Sequence, residues 1–305
     1  MTWHIIGAGS MGCLWTAQFL KAGMKPTLLL REQRFHSLVS TKPILAIDEL
    51  EGITHHFTIN LDSPASLSDS IEYLLVCTKA QDAEAAVHSV AHQLSDHCQI
   101  VLMQNGMGSQ QAISQHFSSQ TVWAASTTEG AWMKDFLHVC HAGHGSTWIG
   151  PMSSTPDEPS WQRLKDALEK LSFDIQLTHQ IEQKLWDKLA VNCAINGLTA
   201  LYDCRNGELL ATEERKKRLA ELTEEVSQVR EAKGVPNCGN LLELVHQVCI
   251  DTAMNNSSTC MDARQGRATE LPFINGYLIK QAERLGIETP ANQTLMRELA
   301  ERHIT

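Results

Sequence analysis

The chain has 305 residues, a length that favours two domains, and its 43% hydrophobic and 20% charged residues are typical of a folded rather than a disordered protein. Its formal net charge of −10 argues against a nucleic-acid partner, because phosphate binding depends on clustered lysine and arginine. A small anionic ligand stays compatible with this charge, since a local site can oppose the overall sign. No run of about 18 apolar residues occurs, so no membrane partner is expected.

Cysteine and histidine usage bears on the cellular compartment and on metals. The N-terminus has no basic stretch followed by an apolar one, so no secretory signal is expected. Nine cysteines, Cys238 among them, are scattered without a C-x-x-C pair, which is typical of reduced core cysteines in the cytoplasm. Fourteen histidines occur, but no H-E-x-x-H motif or Cys/His ligand set accompanies them. We therefore expect a cytoplasmic protein with no metal site.

Strands and helices alternate in the first half of the chain. Short apolar runs at 3–6, 26–30, 73–77 and 100–103 predict buried parallel strands, and helices are predicted from about Met11 to Ala22 and over 82–94. This alternation predicts a doubly wound α/β domain of the Rossmann type.

A domain boundary is predicted near residue 178. The stretch 150–161 is rich in proline and serine, but a helix-like segment at 161–172 and a strand-like segment at 173–178 follow it. Beyond them the pattern is helical, with amphipathic spacing around 219–229 and 241–248 and a third helix predicted to begin at Pro272. The sequence thus predicts a nucleotide-binding domain at 1–178 and an all-α substrate domain at 179–305.

The strongest local motif is G-x-G-x-x-G directly after the first strand, where it opens the first predicted helix. Gly7 suits a tight turn, Gly9 a close approach of phosphates, and Gly12 a close helix–strand contact. A helix N-terminus adds N–H groups and positive potential for the pyrophosphate. The motif predicts dinucleotide binding by the residues Gly7, Ala8, Gly9, Ser10, Met11 and Gly12.

The end of the second strand bears on the choice between NAD and NADP. An NAD site usually has an acidic residue there, whereas this strand ends in Arg31, followed by Glu32 and Arg34. A guanidinium suits a 2′-phosphate, so NADP(H) is favoured. Glu32 turned toward the ribose would reverse this preference.

Polar residues follow two further strands. Lys79 and Gln81 come after the third apolar run, and Asn105 after the fourth. Taken alone, each feature is explained equally well by ligand binding and by a solvated lysine or an ordinary Asn-Gly turn. Their shared position at the carboxyl ends of neighbouring strands favours cofactor and substrate contacts.

The stretch KLWDKLAVNCAIN at 184–196 reads as an apolar helix that carries a polar stripe. Lys188, Asn192 and Asn196 recur every four residues and so lie close to one face. A desolvated amine could donate a proton to a reduced ketone, and the amides could orient the substrate. The alternative interpretation is a surface stripe, and the Thr269-Glu270 pair alone is explained by helix capping.

These motifs together resemble the ketopantoate reductase (2-dehydropantoate 2-reductase) family. The resemblance spans nearly the whole chain through GAGSMG, the Lys79 segment, Asn105-Gly106-Met107-Gly108, KLWDKLAVNCAINGLTAL, Asn206-Gly207-Glu208, Asn255 with Ser258, and the run from Asp262 to Asn275-Gly276. It implies a C-terminal domain like that of 6-phosphogluconate dehydrogenase and NADPH-dependent reduction of 2-dehydropantoate to (R)-pantoate, on the way to pantothenate and coenzyme A.

The resemblance also implies roles for individual residues. Lys188 would be the general acid and Glu270 would contact substrate or cofactor near the reacting carbon. Ala131 would lie near the cofactor, with Asn105 also on the nicotinamide side. Substrate contacts are implied for Asn105, Asn192, Asn196, Asn206, Asn255 and Ser258.

The chain departs from the family pattern at two places, and two other functions are compatible with the sequence. Many members have proline where this chain has Gly197, and Ile-Asp-Tyr where it has Leu271-Pro272-Phe273. The alternatives are a sibling reductase of another branched 2-oxo acid and a non-catalytic NADP sensor. Either a monomer or a homodimer is compatible with the sequence.

Overall fold

The structure, a computed structural model, describes residues 2–38, 40–152, 156–236 and 239–304. Cys238 and residues 153–155 of the proline- and serine-rich stretch lie outside this described part. The chain divides into two units, the first made of the residues up to Gln104 together with Ser109–Ile181. The second contains Asn105–Gly108 and the residues from Glu182 onward.

The first unit contains two β-sheets. Its strands, in chain order, are β1 (Trp3–Ile6), β2 (Thr27–Leu29), β3 (Ile44–Asp48), β4 (Thr54–Thr58), β5 (Asn60–Asp62), β6 (Ile71–Val76), β7 (Leu94–Leu102), β8 (Thr121–Thr127), β9 (Gly130–Asp135), β10 (His138–Gly143), β11 (Ser146–Pro151) and β12 (Asp174–Leu177). The larger sheet has the order β12-β11-β8-β7-β6-β1-β2-β5.

The larger sheet is the predicted Rossmann-type sheet. Neighbouring strands pair in parallel from β5 to β8, whereas β11 pairs antiparallel with β8 and β12 pairs in parallel with β11. Both faces of β1 are buried, as expected for a strand covered by helices on two sides. The chain leaves β1 toward β2 and later returns on its other side as β6. The strand order therefore reverses between β1 and β6, where such sheets bind ligands.

Helices of the first unit connect these strands. They are α1 (Ser10–Lys21), α2 (Glu32–Leu38), α3 (Ala80–Ser89), α4 (Ser109–His116) and α5 (Glu158–Leu168). The helix predicted over 82–94 ends five residues early, and a 3₁₀ turn at Ala91–Gln93 leads directly into β7.

A smaller sheet of order β4-β3-β10-β9 was not predicted as a unit. Its outer strand β4 alternates exposed and half-buried residues, and β9 is largely exposed, so neither has the apolar run that marks a buried strand. Pairing with the better buried β3 and β10 brings these strands into the sheet.

The second unit is helical in the part described, which confirms the predicted fold class. Its helices are α6 (Ile181–Tyr202, which begins in the first unit), α7 (Glu213–Ala232), α8 (Leu241–Asp251), α9 (Ser258–Arg264), α10 (Asn275–Leu285) and α11 (Pro290–Glu301), with 3₁₀ turns at Asn206–Leu210 and Leu271–Phe273. The prediction that Pro272 begins a helix was wrong, because Pro272 lies in the second 3₁₀ turn and α10 starts three residues later. Within the described residues, no helix combines the length and the apolarity needed to cross a membrane.

Candidate active site

The glycine motif forms a tight connection between β1 and α1. Gly7 has φ +107°, and a Cβ there would lie 2.7 Å from the backbone nitrogen of Thr78. A Cβ on Gly12 would lie 1.9 Å from the carbonyl oxygen of Gly7. Both positions therefore exclude every larger residue by contact with backbone atoms. A Cβ on Gly9, in contrast, would meet no protein atom within 4 Å, which leaves room for a ligand at the N-terminus of α1.

A cavity of about 820 Å³ opens at this motif within the first unit. The residues predicted for the cofactor that line it are Gly7, Ala8, Gly9, Arg31 and Lys79. Further lining residues, which no sequence motif indicated, include Pro64, Ala65, His92 and Phe136. Ser10, Met11, Gly12 and Gln81 do not line it, and Ala131 lies on β9, paired with His141. Their predicted cofactor contacts stay predictions.

Two arginines and one glutamate that follow β2 line the cavity. The exposed Arg31 guanidinium donates to the Asp82 carboxylate at 3.0 Å, and the Arg34 guanidinium stacks 4.5 Å from the centre of the Phe136 ring. Glu32, in contrast, accepts from the backbone N–H of Ala65 and from the hydroxyl of Ser63.

These bonds, at 3.0 Å and 2.9 Å, tie the Glu32 carboxylate to the loop after β5. Both of its oxygens therefore already accept a hydrogen bond. Arg31, Arg34, Glu32 and Asp82 all line the cavity.

Lys188 lies in the middle of α6, in the second unit. Its neighbours Trp186 and Leu189 are fully buried, and Lys188 itself is partly buried. Desolvation lowers the pKa of its amine from 10.5 to about 8, while the negative charge of Glu270 opposes part of this shift. The interpretation of the polar stripe as a solvated surface is therefore wrong at Lys188, which can exchange a proton near neutral pH.

Glu270 and Asn105 are brought together from distant parts of the sequence. The Asn105 side-chain amide donates to a Glu270 carboxylate oxygen at 3.2 Å. The following loop is fixed, because the N–H of Met107 donates to the carbonyl of Phe273 at 2.8 Å. Gly106 has φ +77°, and a Cβ there would lie 2.3 Å from that same carbonyl oxygen. The segment Asn105–Gly108 thus belongs with the 3₁₀ turn that follows Glu270.

The remaining predicted polar residues lie on α6 or in segments beyond its C-terminal end. Asn196 is buried on α6, and Asn192 is partly buried. The N–H of Asn206 donates to the carbonyl of Asn255 at 3.0 Å, and its side-chain nitrogen donates to Thr252 at 2.8 Å.

Ser258 is exposed at the first turn of α9. The preceding Ser257 caps that helix and shares a hydrogen bond of 2.7 Å with Thr199 on α6. This contact joins α9 to α6 one turn beyond Asn196, and no sequence signal had indicated it.

Two groups of metal-ligand types occur in the described parts of the chain. They are Glu84, His88 and His116, which are mostly exposed, and Glu129, His141 and His144. In the second group His141 already has a carboxylate at each ring nitrogen, Glu129 at 2.7 Å and Glu49 at 3.3 Å. Both ring nitrogens of His141 therefore already have a carboxylate partner within the protein. The expectation of no metal site stays a prediction.

Comparison with known proteins decides the family. Models described as "Ketopantoate reductase PanE/ApbA" and "Ketopantoate reductase PanE/ApbA C terminal" match residues 3–154 and 180–303. The chain belongs to the ketopantoate reductase family. A curated 2-dehydropantoate 2-reductase from Vibrio cholerae is 32% identical over 97% of this chain and 95% of its own length.

Solved structures show the same fold. A PanE/ApbA family ketopantoate reductase from Ralstonia eutropha JMP134 superposes with a TM-score of 0.87 at 25% identity, covering 100% of this chain and 98% of that one. A D-mandelate dehydrogenase in complex with NADH and anilino(oxo)acetate shares the fold at 19% identity and a TM-score of 0.88, covering 99% and 98%. Membership of the ketopantoate reductase family makes this chain an oxidoreductase.

One departure from the family pattern has a packing explanation. A Cβ at Gly197 would lie 2.7 Å from Cδ2 of Leu295 and 3.4 Å from Cδ1 of Leu299. In this ketopantoate reductase family member, α6 therefore packs directly against α11 at the residue after Asn196.

Proposed function

We propose that the protein reduces 2-dehydropantoate to (R)-pantoate with NADPH as hydride donor. The observation that carries the proposal is the partly buried Lys188 amine, with a pKa of about 8, in a polar group that also contains Glu270 and Asn105. An amine of this pKa is largely protonated at neutral pH and still loses its proton readily, which suits a general acid.

The chemistry divides between the cofactor and the side chains of this chain. NADPH, when bound, supplies a hydride to the 2-keto carbon. Lys188 donates a proton to the keto oxygen, so that hydride and proton together convert the carbonyl to a hydroxyl. Asn192 and Asn196 orient the substrate from the same helix face. Asn105, held by Glu270, presents an amide near the reacting group.

The first unit supports the choice of NADPH. Gly7, Ala8 and Gly9 would hold the pyrophosphate at the N-terminus of α1, and Arg31 with Arg34 would bind the 2′-phosphate. Hydrogen bonds from Ser63 and Ala65 hold the Glu32 carboxylate to the loop after β5, which favours the arginines as the groups that contact the ribose end of the cofactor.

A cofactor comparison tests this assignment. We expect NADPH oxidation at 340 nm to be faster than NADH oxidation at equal concentration. Arg31→Ala should raise the KM for NADPH by about 10- to 100-fold, the loss of one or two charge-assisted hydrogen bonds, and leave the KM for NADH unchanged. An equal rise in the KM values for NADPH and NADH would contradict a contact between Arg31 and the 2′-phosphate.

A substrate panel tests the reaction itself. We expect 2-dehydropantoate to give the highest kcat/KM among branched and aromatic 2-oxo acids. The fold shared with a D-mandelate dehydrogenase makes an aromatic 2-oxo acid the informative competitor. A better rate with another 2-oxo acid would favour the sibling reductase, and NADPH binding without any reduction would favour the sensor.

The biological role follows from the same assignment. Reduction of 2-dehydropantoate would place the protein in pantothenate and coenzyme A biosynthesis. The test is rescue of growth without added pantothenate in a bacterium that lacks this reductase. The cytoplasmic location and the choice between monomer and homodimer stay predictions.

A further inference from the structure

A buried chain of polar side chains crosses four helices of the second unit. Glu225 on α7 contacts Asn292 on α11, Asn292 contacts Asn275 on α10, and Asn275 contacts the carbonyl of Cys193 on α6. Asn275 and Asn292 have no solvent-exposed surface, and Glu225 is 8% exposed. Such a network is costly unless its hydrogen bonds are made, and when they are made it specifies one arrangement of the helices.

Glu225 fixes the direction of every hydrogen bond in this buried polar network. Its carboxylate accepts from the N–H of Ala291 at 2.6 Å, from the N–H of Asn292 at 2.9 Å and from the side-chain nitrogen of Asn292 at 2.8 Å. A carboxylate can only accept, so the Asn292 amide must turn its nitrogen toward Glu225. Its oxygen therefore faces Asn275 and accepts from the Asn275 side chain at 2.8 Å.

The same Asn275 side-chain nitrogen uses its second proton to donate to α6. The distance from this nitrogen to the carbonyl oxygen of Cys193 is 2.9 Å. This orientation leaves the Asn275 side-chain oxygen buried without a hydrogen-bond partner in the described part of the chain. Turning the amide over would be worse, because two carbonyl oxygens would then face each other at Cys193 and again at Asn292.

The carbonyl that Asn275 binds belongs to a residue between two members of the polar stripe of α6. Cys193 follows Asn192 directly, five residues after Lys188 and three before Asn196. Asn275 is the first residue of α10 and comes five residues after Glu270. One amide therefore joins the helix that carries Lys188 to the segment that carries Glu270.

We propose that Asn275 is a positioning residue for the reduction, and that Asn292 and Glu225 orient its amide so that α6 is held against the start of α10. This inference rests on the proposed function. It assigns Asn275 no contact with substrate, and Asn275 acts through the placement of Lys188 relative to Glu270.

The first experiment separates positioning from stability. We expect Asn275→Ala to lower kcat by about 10- to 100-fold, the cost of a displacement of the order of 1 Å at a reacting group, while the Kd for NADPH stays unchanged. Arg302→Ala is the matched control, because Arg302 also donates to an α6 carbonyl, that of Leu201, at 2.6 Å. It should lower Tm without lowering kcat. Asn275→Ser serves the same purpose if Asn275→Ala does not fold.

A second pair of variants tests the direction of the hydrogen bonds between Glu225, Asn292 and Asn275. Asn292→Asp places a carboxylate against Glu225, so kcat and Tm should both fall. Adding Glu225→Gln places an amide donor against the carboxylate at position 292, although the backbone N–H of residue 292 then loses the oxygen that accepts from it. We therefore expect the double variant Glu225→Gln/Asn292→Asp to recover part of the lost kcat.

The outcomes distinguish this inference from the proposed function. Wild-type protein that reduces none of the 2-oxo acids would overturn both. An active wild type whose kcat is unchanged by Asn275→Ala and Asn275→Ser, or lowered equally by Arg302→Ala, would overturn the positioning role alone. The same holds for a double variant no faster than Asn292→Asp.

Discussion

The nucleotide motif of the first unit and the polar helix of the second are built on different principles. At the motif, backbone meets backbone, as where a Cβ on Gly12 would lie 1.9 Å from the Gly7 carbonyl oxygen. At the helix, side chains from separate segments meet, as where Asn105 donates to Glu270 across 165 positions of sequence.

The difference predicts how each region responds to substitution. A site made by backbone geometry loses its shape when a side chain is added at a point where backbone meets backbone. A site made by side chains keeps its fold when one of them is removed and loses only that group's chemistry.

The largest effect is expected from removal of the Lys188 amine. Loss of a general acid lowers rates by about 10²- to 10⁴-fold, so Lys188→Ala should reduce kcat by that factor. The Kd for NADPH should stay the same, since Lys188 is not among the residues predicted to bind the nucleotide. Steady-state assays at 340 nm and nucleotide fluorescence titration measure the two quantities. Lys184→Ala, one turn earlier on α6, is the control and should keep near-wild-type kcat.

The next largest effect separates two glycines of one motif. Gly9→Ala should weaken NADPH binding by about tenfold or more with little change in Tm, because its Cβ would meet no protein atom within 4 Å. Gly12→Ala should weaken binding and also lower Tm by several degrees, because its Cβ would overlap the Gly7 carbonyl. Thermal unfolding with and without NADPH makes the comparison. Equal Tm values for the two variants would contradict the backbone contact.

The same contrast explains how much the sequence could predict. GAGSMG indicated the nucleotide loop because its geometry is local, and the four-residue spacing of Lys188, Asn192 and Asn196 indicated the polar helix face. Both patterns depend on residues that are close in sequence, so a short window of sequence contains them.

Other features depend on pairing between distant segments. Asn105–Gly108 follows a strand of the first unit, yet it belongs to the second, where Asn105 donates to Glu270 and Met107 donates to Phe273. The smaller sheet escaped prediction because β4 and β9 are stabilised by their neighbours. The error at Pro272 arose because proline is compatible with the first turn of a 3₁₀ helix as well as of an α-helix.

A smaller effect concerns the pH dependence of reduction. The general acid must carry its proton, so kcat should be constant below pH 8 and fall about tenfold per pH unit above the Lys188 pKa of about 8. Because the negative charge of Glu270 raises that pKa, Glu270→Gln should move the decline to lower pH. A pH–rate profile of both proteins measures the shift. A decline at the same or higher pH in the variant would contradict the coupling.

The smallest effect is expected at Gly197, where a glycine of the second unit meets side chains instead of backbone. A Cβ there would lie 2.7 Å from the end of Leu295, which can move, whereas the carbonyl facing Gly12 cannot. Replacing a helical glycine by alanine gains about 1 kcal/mol, and overpacking costs about 1–3 kcal/mol. Gly197→Ala should therefore lower the free energy of unfolding in urea by about 0–2 kcal/mol. In a Leu295→Ala background the same substitution should become stabilising, because the obstructing methyl group is gone. A large loss in both backgrounds would show that Gly197, like Gly12, is required by backbone geometry.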